Sequence, residues 1–438
     1  MTNTEPGHDE DARLHSWRRL MDPDASGLVQ AAMDATGKGV EPRLVESLRR
    51  AHPGLPVTEA LELADARRRA EGRIEGASDL WADRQGIEQA SGTVVARWKA
   101  TRFGGNPVTD LCCGIGGDAI ELARRGPCRG LDRDPVRAAM AAANAGIEVV
   151  VGDVQGWTPG AEFVHVDPAR RDQATGRRRW RLEDLEPGPD ELRRIAGAAV
   201  GAAIKLGPGL PRPFPSFHER QSVSIVSEHG RLVQAIAWTG ELAGGDPVEA
   251  VDLPSGRTLA GREASFPTVG DASIGWESLS DAGVLGLVLF HPAVERAGLA
   301  ATAWRAEGAG VPLRELAAGL GVGFVDLREV DASSSRGSRA WTSLHRILAV
   351  EGPRPDRVAR RIEAILGDSG RAGAGGLGRV VVRTRDSAID VDQWTRRLSD
   401  RLQPTGDVAD GVLEVHGWRL GRRTRVFVCQ PSESGSTP

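Results

Sequence analysis

The sequence predicts an α/β protein with a mostly parallel sheet, preceded by a helical region and followed by a smaller α+β domain. Between residues 108 and 206, short apolar runs that end in acids alternate with helical stretches, which is typical of a doubly wound parallel sheet. The apolar runs 222–228 and 232–239 flank His229-Gly230 and indicate a closing hairpin. The length of 438 residues favours two or three domains.

Charge and composition exclude some classes of protein. The chain has 56 basic and 60 acidic residues, a net charge of −4, so any contact with nucleic acid must be local. No N-terminal hydrophobic segment and no apolar run near the ~20 residues of a membrane span occurs, so we expect a cytoplasmic protein without membrane contact. The four cysteines lack metal or disulfide spacing, which favours packing roles and no bound metal (Cys112, Cys113, Cys128 and Cys429).

The N-terminal region is expected to be disordered over residues 1–12 and helical over 13–103. Thr58 is a predicted N-cap for a helix over residues 59–70, and a second helix is predicted over 91–100. A glycine-rich hinge, residues 101–107, follows, and its Arg102 and Phe103 either cover a bound ligand or pack within the hinge. Only three basic residues are lysines, which we interpret as coding bias (Lys38, Lys99 and Lys205).

The stretch Val108–Asp118 is a predicted strand that turns through glycines into a helix over residues 118–125. Gly114, Gly116 and Gly117 form a turn that a ligand can approach closely, which favours a nucleotide-like ligand.

Further strands repeat this pattern. The strand 128–132 ends in Asp132, and Asp134-Pro135 has the cap and first-turn proline of a helix through residue 144. The other predicted strands cover residues 148–153, 162–168 and 198–206, and the first two of these end in Asp153 and in Asp167-Pro168. Open parallel sheets bind ligands at the carboxyl ends of their strands, so these acids mark the ligand edge.

Two nucleotide ligands fit such an edge differently. A dinucleotide site requires the spacing Gly-x-Gly-x-x-Gly, which the turn lacks, and Asp118 at the helix start would repel a pyrophosphate. S-adenosylmethionine has no phosphate, and it offers a cationic amino group, a sulfonium and ribose hydroxyls to carboxylates. We therefore expect Asp110 near its methionine part, Asp132 on its ribose and Asp153 near its adenine amino group.

As a set, the segments Asp110–Ile120, Leu131–Pro135, Gly152–Asp153 and Val166–Pro168 resemble a class I S-adenosylmethionine-dependent methyltransferase of the trimethylguanosine synthase branch. The segment Leu289–Leu299 is similar to the opening of a THUMP-like domain. The resemblance implies a Rossmann-like methyltransferase domain over 104–261, a linker over 262–275, a THUMP-like α+β domain over 276–430 and a disordered tail over 431–438. The implied cofactor-binding residues are Asp110, Cys113, Gly114, Gly116, Asp132, Arg133, Asp153 and Val154.

The resemblance also implies an acceptor site. In methyltransferases of exocyclic amines, the fourth strand ends in an acid or amide, two prolines and an aromatic, which orient and stack the base. Asp167 and Pro168 match as catalytic residues, whereas Ala169 and Arg170 replace the second proline and the aromatic. Stacking would then fall to Arg170 or Trp180, or to another side chain.

Six arginines lie between residues 170 and 181 and suit phosphate contacts, with Arg170, Arg171 and Trp180 as candidate substrate-binding residues. Alternatively, the arginines of this loop pair with Glu183, Asp184 and Glu186 as a surface network.

Other single residues have competing interpretations. Cys112 and Cys113 lie in the donor turn, where packing is favoured over a nucleophile. A core role is favoured over a base for His165, and Lys205 is a weak candidate for the site.

These patterns predict a methyltransferase that uses S-adenosylmethionine on structured RNA, with a guanine amine favoured, and that contacts RNA through the 170–181 loop and the C-terminal domain. THUMP domains bind RNA, so the resemblance implies an RNA-positioning role for this domain. The alternatives are a methyltransferase of a small molecule or protein with the C-terminal domain as a lid, and an RNA-binding protein that keeps the donor fold without turnover.

Overall fold

The computed structural model describes residues 6–35, 41–160, 162–170, 181–263, 285–307, 311–315, 321–330, 339–370, 379–384, 388–402, 412–420 and 422–431. Contacts divide the chain into two compact units, the first with residues 1–228, 232–247 and 252–257 and the second with the remainder. In these described ranges, no helix has the length and apolar character to cross a membrane. Most of the expected linker and tail lies outside the described residues.

Helices form the start of the first unit. They are α1 (Pro6–Met21), α2 (Ser26–Ala35), α3 (Pro42–Ala51), α4 (Val57–Ala70), α5 (Arg84–Gln89) and α6 (Thr93–Thr101), with a 3-10 turn at Pro23–Ala25. The expectation of disorder is wrong for residues 6–12, which belong to α1. The predicted cap at Thr58 is also wrong, because α4 begins at Val57 after Pro56 and has no side-chain cap.

The N-terminal helices and the glycine turn share one hydrophobic core. Trp17 of α1 and Leu63 of α4 belong to the same buried cluster as Ile115 of the turn and Met140. Arg13 adds ion pairs of 2.7 Å to Asp83 and 2.9 Å to Asp134. The helical region is therefore part of the unit that contains the turn, not a separate body.

The central sheet of the first unit follows the predicted alternation. Its elements are β1 (Val108–Leu111), α7 (Ala119–Ala123), β2 (Cys128–Asp132), α8 (Pro135–Ala145), β3 (Glu148–Val151), β4 (Phe163–Val166), α9 (Pro189–Ala198) and β7 (Gly201–Leu206). Between β4 and α9, β5 (Ala169–Arg170) and β6 (Leu185–Glu186) pair with each other, and a 3-10 turn covers Leu182–Asp184.

The five strands β7, β4, β1, β2 and β3 are neighbours in that order and run parallel, as predicted. The chain moves outward from β1 to β3 and then returns to β4 on the other side of β1. This reversal creates the switch point at which such sheets bind ligands.

Reversed pairing completes the sheet, as the predicted hairpin requires. The strands β8 (Gln221–Glu228) and β9 (Arg231–Thr239) are followed by a 3-10 turn (Gly240–Leu242), β10 (Val248–Leu253) and β11 (Arg257–Gly261). β9 is antiparallel to β7, and the order of the strands that lie in the first unit is β8-β9-β7-β4-β1-β2-β3. His229 and Gly230 both have positive φ, which is the backbone of a type I′ turn.

The second unit is an α+β body. Its elements are β12 (Leu285–Phe290), α10 (Pro292–Ala297), α11 (Ala300–Ala306), β13 (Arg314–Glu315), β14 (Val322–Asp326), β15 (Thr342–Glu351), α12 (Pro355–Gly370), β16 (Arg379–Thr384), α13 (Val391–Arg401), β17 (Val412–Leu420) and β18 (Arg423–Pro431). The strands form one sheet in the order β13-β14-β12-β15-β18-β17-β16. Val358 of α12 and Trp394 of α13 cover one face of this sheet.

Candidate active site

The glycine turn after β1 leaves open space above its backbone. Gly114 and Gly116 have φ values of 57° and 85°, which side-chain-bearing residues adopt at a cost. A Cβ on Gly116 would lie 3.1 Å from the Cα of Ala141, whereas a Cβ on Gly114 would meet nothing within 4 Å. The turn is therefore tight against α8 on one side and open at Gly114, where a ligand can approach the backbone.

Asp132 at the end of β2 is held rigidly beside this turn. Its Oδ2 accepts the N–H of Gly114 at 2.7 Å, and its Oδ1 accepts the N–H of Asp134 at 2.9 Å. Burial raises the pKa of the Asp132 carboxyl. Each carboxylate oxygen keeps a further lone pair, so Asp132 can still accept hydrogen bonds from a pair of hydroxyls. Asp134 caps α8 through the N–H groups of Val136 and Arg137, which confirms the predicted helix start.

The remaining predicted donor residues lie at neighbouring strand ends. Arg133 forms a 2.7 Å ion pair with Glu186 of β6. Asp153 is exposed after β3 and accepts the N–H of Gln155 at 2.8 Å, while Val154 is buried. Asp153 is thus available to a ligand, whereas the side chain of Arg133 is directed to β6.

Asp110 lies inside the first unit and not at the open edge. It is the third residue of β1 and pairs in register with His165 of β4, so both side chains share one face of the sheet. Asp110 Oδ1 contacts His165 Nδ1 at 2.6 Å, and burial raises the pKa of the Asp110 carboxyl. His165 is 1% exposed, as the core interpretation predicts. Asp110 Oδ2 has no hydrogen-bond partner.

A buried ion pair beneath the glycine turn was not predicted. Lys99 of α6 lies 2.7 Å from Asp118 Oδ1 and 3.2 Å from His165 Nε2, and the Ser91 hydroxyl donates to Asp118 Oδ2 at 2.8 Å. Burial lowers the pKa of Lys99. Burial also raises the pKa of Asp118, but Lys99 and His165 outweigh it and hold that pKa below its usual value.

The Lys99–Asp118 ion pair corrects the prediction that Asp118 would repel a pyrophosphate. Asp118 is buried and its negative charge is balanced by Lys99, so its carboxylate does not face the open side of the turn. Its carboxylate contacts Lys99 and Ser91 and gives α7 no side-chain cap, and α7 (Ala119–Ala123) is shorter than predicted.

Asp167, the predicted acceptor residue, forms an ion pair with Lys205 of β7. Its Oδ2 lies 2.6 Å from Lys205 Nζ, and its backbone N–H donates to Leu111 at the end of β1. Lys205 also donates to the carbonyl oxygen of Gln89 at 3.4 Å. Burial lowers the pKa of Lys205, but Asp167 and Asp118 outweigh it and raise that pKa, which favours the charged lysine. Lys205, the weak candidate, therefore lies beside Asp167 as its charged partner.

The segment after Asp167 is fixed at its two ends. Pro168 is buried, and Ala169 and Arg170 pair with Glu186 and Leu185. Glu186, one of the acids expected as partners of the loop arginines, contacts Arg133. Arg171 and Trp180 lie outside the described residues, as does the segment 171–180 between the paired ends.

The cysteines of the turn are suited to packing. Burial raises the pKa of both Cys112 and Cys113, which keeps the thiols protonated and poorly nucleophilic. A Cβ on Gly130 would lie 3.1 Å from the sulfur of Cys113, so this thiol fills the space that Gly130 leaves.

The hinge residues also pack. The guanidinium of Arg102 lies 4.6 Å from the ring centroid of Trp238, and buried Phe103 meets the same ring edge-on. Both contacts favour hinge packing over a cover for the donor.

The sequence held a signal for the role of Lys99, which was not predicted. Two of the three lysines, Lys99 and Lys205, lie in this region and pair with Asp118 and Asp167. Almost all other basic residues of the chain are arginines. The two lysines therefore indicated specific ion pairs in this region, whereas the sequence alone was interpreted as coding bias. Lys38 lies outside the described residues.

The parallel sheet with the reversed strand β9, the open glycine turn and the fixed acid at the end of β2 are typical of α/β methyltransferases. Known proteins agree. The chain is 30% identical over 391 residues to an uncharacterised S-adenosylmethionine-dependent methyltransferase from each of two strains of Mycobacterium tuberculosis, covering 84% of this chain and 95% of each relative. It therefore belongs to the S-adenosylmethionine-dependent methyltransferases. No protein-family model matches the chain.

The fold has a solved counterpart. A crystal structure of a proposed methyltransferase from Porphyromonas gingivalis W83 matches with a TM-score of 0.62 at 16% identity, over 93% of this chain and 98% of that chain. At that identity the match shows the fold alone. The methyl donor of this family is S-adenosylmethionine, and the open backbone at Gly114 beside the spare lone pairs of Asp132 fits a ligand without phosphate.

Proposed function

We propose that the chain methylates an exocyclic amine of guanine in structured RNA, with Asp167 orienting the acceptor. The observation that carries this proposal is the position of the Asp167 carboxylate, which contacts Lys205 directly after β4, one strand from the glycine turn. An exocyclic amine is a weak nucleophile because its lone pair is delocalised into the ring, so a positioned acceptor of its N–H bonds is the group that its methylation needs most.

Asp167 and Lys205 would act on the acceptor, whereas Asp132 and Gly114 would act on the methyl donor. Bound S-adenosylmethionine supplies an electrophilic methyl group on a sulfonium. Asp167 would accept a hydrogen bond from the amine and take up the proton that the nitrogen loses. Lys205 would hold the carboxylate in place through its 2.6 Å contact, which makes Lys205 a positioning residue. Asp132 and Gly114 would bind the donor at the neighbouring strand ends.

RNA is favoured as the acceptor because of the arginines that follow Asp167. The segment 171–180 leaves β5 and returns at Arg181 before β6, and the pairing of β5 with β6 holds both ends close to the acceptor residue. A surface pocket lies next to the point where the chain enters β6, and Arg181, Glu183 and Pro211 line it. Guanidinium groups bind phosphates and stack on bases, and this supports a local RNA contact in a chain of net charge −4.

For the second unit we propose an RNA-positioning role of the THUMP-like kind. Its support is the resemblance of the segment after β12 together with arginines on β16 and β18. Arg379 and Arg423 are exposed on these strands. β16 is an edge strand of the sheet, so one side of its backbone is open to a partner.

Incubation of the purified chain with methyl-labelled S-adenosylmethionine and, separately, total RNA, protein extract and metabolite extract tests the acceptor. We expect label in RNA, and nuclease digestion should release it as a methylated guanosine. Label in protein or metabolites would contradict the RNA proposal without affecting the donor assignment. Donor binding without label in any fraction would instead favour a non-catalytic protein that keeps the donor fold.

The matched control for this experiment is an Asp167→Asn variant. The asparagine keeps the size of the side chain but removes its charge and the attraction to Lys205. We expect less label in RNA from this variant at equal donor occupancy.

A further inference from the structure

A group of metal-ligating side chains lies in the sheet of the second unit. His345 is on β15, and Glu414 and His416 are on β17; the two strands flank β18. All three residues are at least nine-tenths buried. One ligand atom from each residue lies within 4.8 Å of the others, the single such group of three in the part of the chain that the structure describes.

The contacts within this group leave one nitrogen unused. His416 Nε2 lies 2.8 Å from Glu414 Oε2, and His345 Nδ1 lies 3.6 Å from the same oxygen, too far for a hydrogen bond. His345 Nδ1 is buried and has no hydrogen-bond partner. A buried nitrogen without a hydrogen-bond partner destabilises the folded state, so an ion that bound this nitrogen would stabilise the sheet.

We propose that His345 Nδ1, a carboxylate oxygen of Glu414 and His416 Nε2 bind one Zn²⁺ ion. Two imidazoles and a carboxylate are a zinc donor set, and three protein ligands leave the fourth position of a tetrahedron for water. Mg²⁺ and Ca²⁺ prefer sites built from oxygen ligands alone, which this group does not offer.

The surroundings of His345 and Glu414 fit this role. The Ser343 hydroxyl lies 3.0 Å from the second nitrogen of His345, Nε2, the kind of contact that orients a metal-binding imidazole. Arg383 lies 3.3 Å from the other oxygen of Glu414, Oε1, and its side chain is 48% exposed. The ion would take Oε2 while Arg383 keeps Oε1, so the two cations would lie on opposite oxygens of one carboxylate.

Because β18 separates β15 from β17, the ion would join two strands that do not pair with each other. Zn²⁺ would bind the folded state and not the unfolded chain, so it should raise the melting temperature of the second unit. This consequence requires no methyl transfer and holds whatever the acceptor of the first unit is.

The test uses the full chain, stripped with a chelator and dialysed, and ZnCl₂ alone as the probe. We expect about one zinc per chain by elemental analysis, a raised melting temperature, and loss of stoichiometric binding in His345→Gln and in Glu414→Gln. Ser343→Ala should weaken binding by about 10-fold, since such outer contacts contribute 10–100-fold. His15→Gln is the matched control, because His15 is exposed on α1 of the first unit.

A second measurement keeps the test decisive if the buried variants do not fold. Co²⁺ in the wild-type chain should give the visible bands of a site with nitrogen and oxygen ligands and no thiolate charge-transfer band. Three results would overturn the proposal: no stoichiometric zinc in the wild-type chain, unchanged zinc affinity in folded His345→Gln, or a thiolate band, which would place the ion on a cysteine.

Discussion

Replacement of Asp167 by alanine is expected to lower kcat about 100-fold while the affinity for S-adenosylmethionine stays unchanged. The carboxylate is the proposed hydrogen-bond acceptor for the amine, and misplacement of a reacting group by about 1 Å can cost about 100-fold in rate. Two hydrogen bonds to Asp132, from the N–H groups of Gly114 and Asp134, hold the glycine turn, and neither involves Asp167. Single-turnover methylation of the RNA that accepts label measures the change in rate, and calorimetry measures the affinity for S-adenosylmethionine.

The controls separate chemistry from stability. Asp190→Ala removes an acid that is 98% exposed on α9 and should leave kcat unchanged. Lys205→Met should also lower kcat, because Asp167 loses its cation, and Lys205→Arg should restore part of the loss if the charge is what positions Asp167. A folded Asp167→Ala variant with wild-type kcat would show that the acceptor is oriented by another group.

Replacement of Lys99 by methionine should lower the free energy of unfolding by about 3–5 kcal/mol, because it leaves Asp118 as a buried charge without its partner. Lys99 is 1% exposed and Asp118 6% exposed, so solvent cannot replace the lost contact. Urea denaturation at neutral pH, followed by tryptophan fluorescence, measures the change.

The double variant Lys99→Met/Asp118→Asn is the control for this prediction and should recover much of the loss, since it removes both charges. The difference in the free energy of unfolding between Lys99→Met and the wild type should also become smaller as the pH falls. In the wild type the Asp118 pKa is held low, so the stability from this carboxylate is present above its ordinary pKa and is lost as pH falls through the folded value. In Lys99→Met we expect burial to raise this pKa, so protonation in acid should relieve the uncompensated charge. A loss that is equally large at acid pH would contradict the ion-pair account.

The arrangement of the central sheet was predictable because several local signals agreed. Apolar runs that end in Asp132 and Asp167, with helices between them, indicated parallel strands and the ligand edge. Asp134-Pro135 predicted the start of α8, and the apolar runs around His229-Gly230 predicted the reversed strands. Each of these signals depends on residues close together in the sequence.

The contents of the sheet interior were less predictable, because they depend on contacts between distant residues. An acid that follows a glycine turn can face the ligand or the core. Asp118 faces the core because it pairs there with Lys99, which lies on another helix. Asp110 was expected near the methionine part of the donor, and the structure shows that it is 1% exposed and in register with His165.

We expect Asp132 and the open turn at Gly114 to bind the methyl donor. Calorimetric titration of S-adenosylmethionine into the wild-type chain and into Asp132→Ala measures this binding, with Asp190→Ala as the control. We expect about one donor per wild-type chain and an affinity at least about 10-fold weaker for Asp132→Ala, since hydrogen bonds to a charged group contribute about 1.5–3 kcal/mol each. No heat with the wild type, or equal affinity in a folded Asp132→Ala variant, would show that the methyl donor is not bound by Asp132.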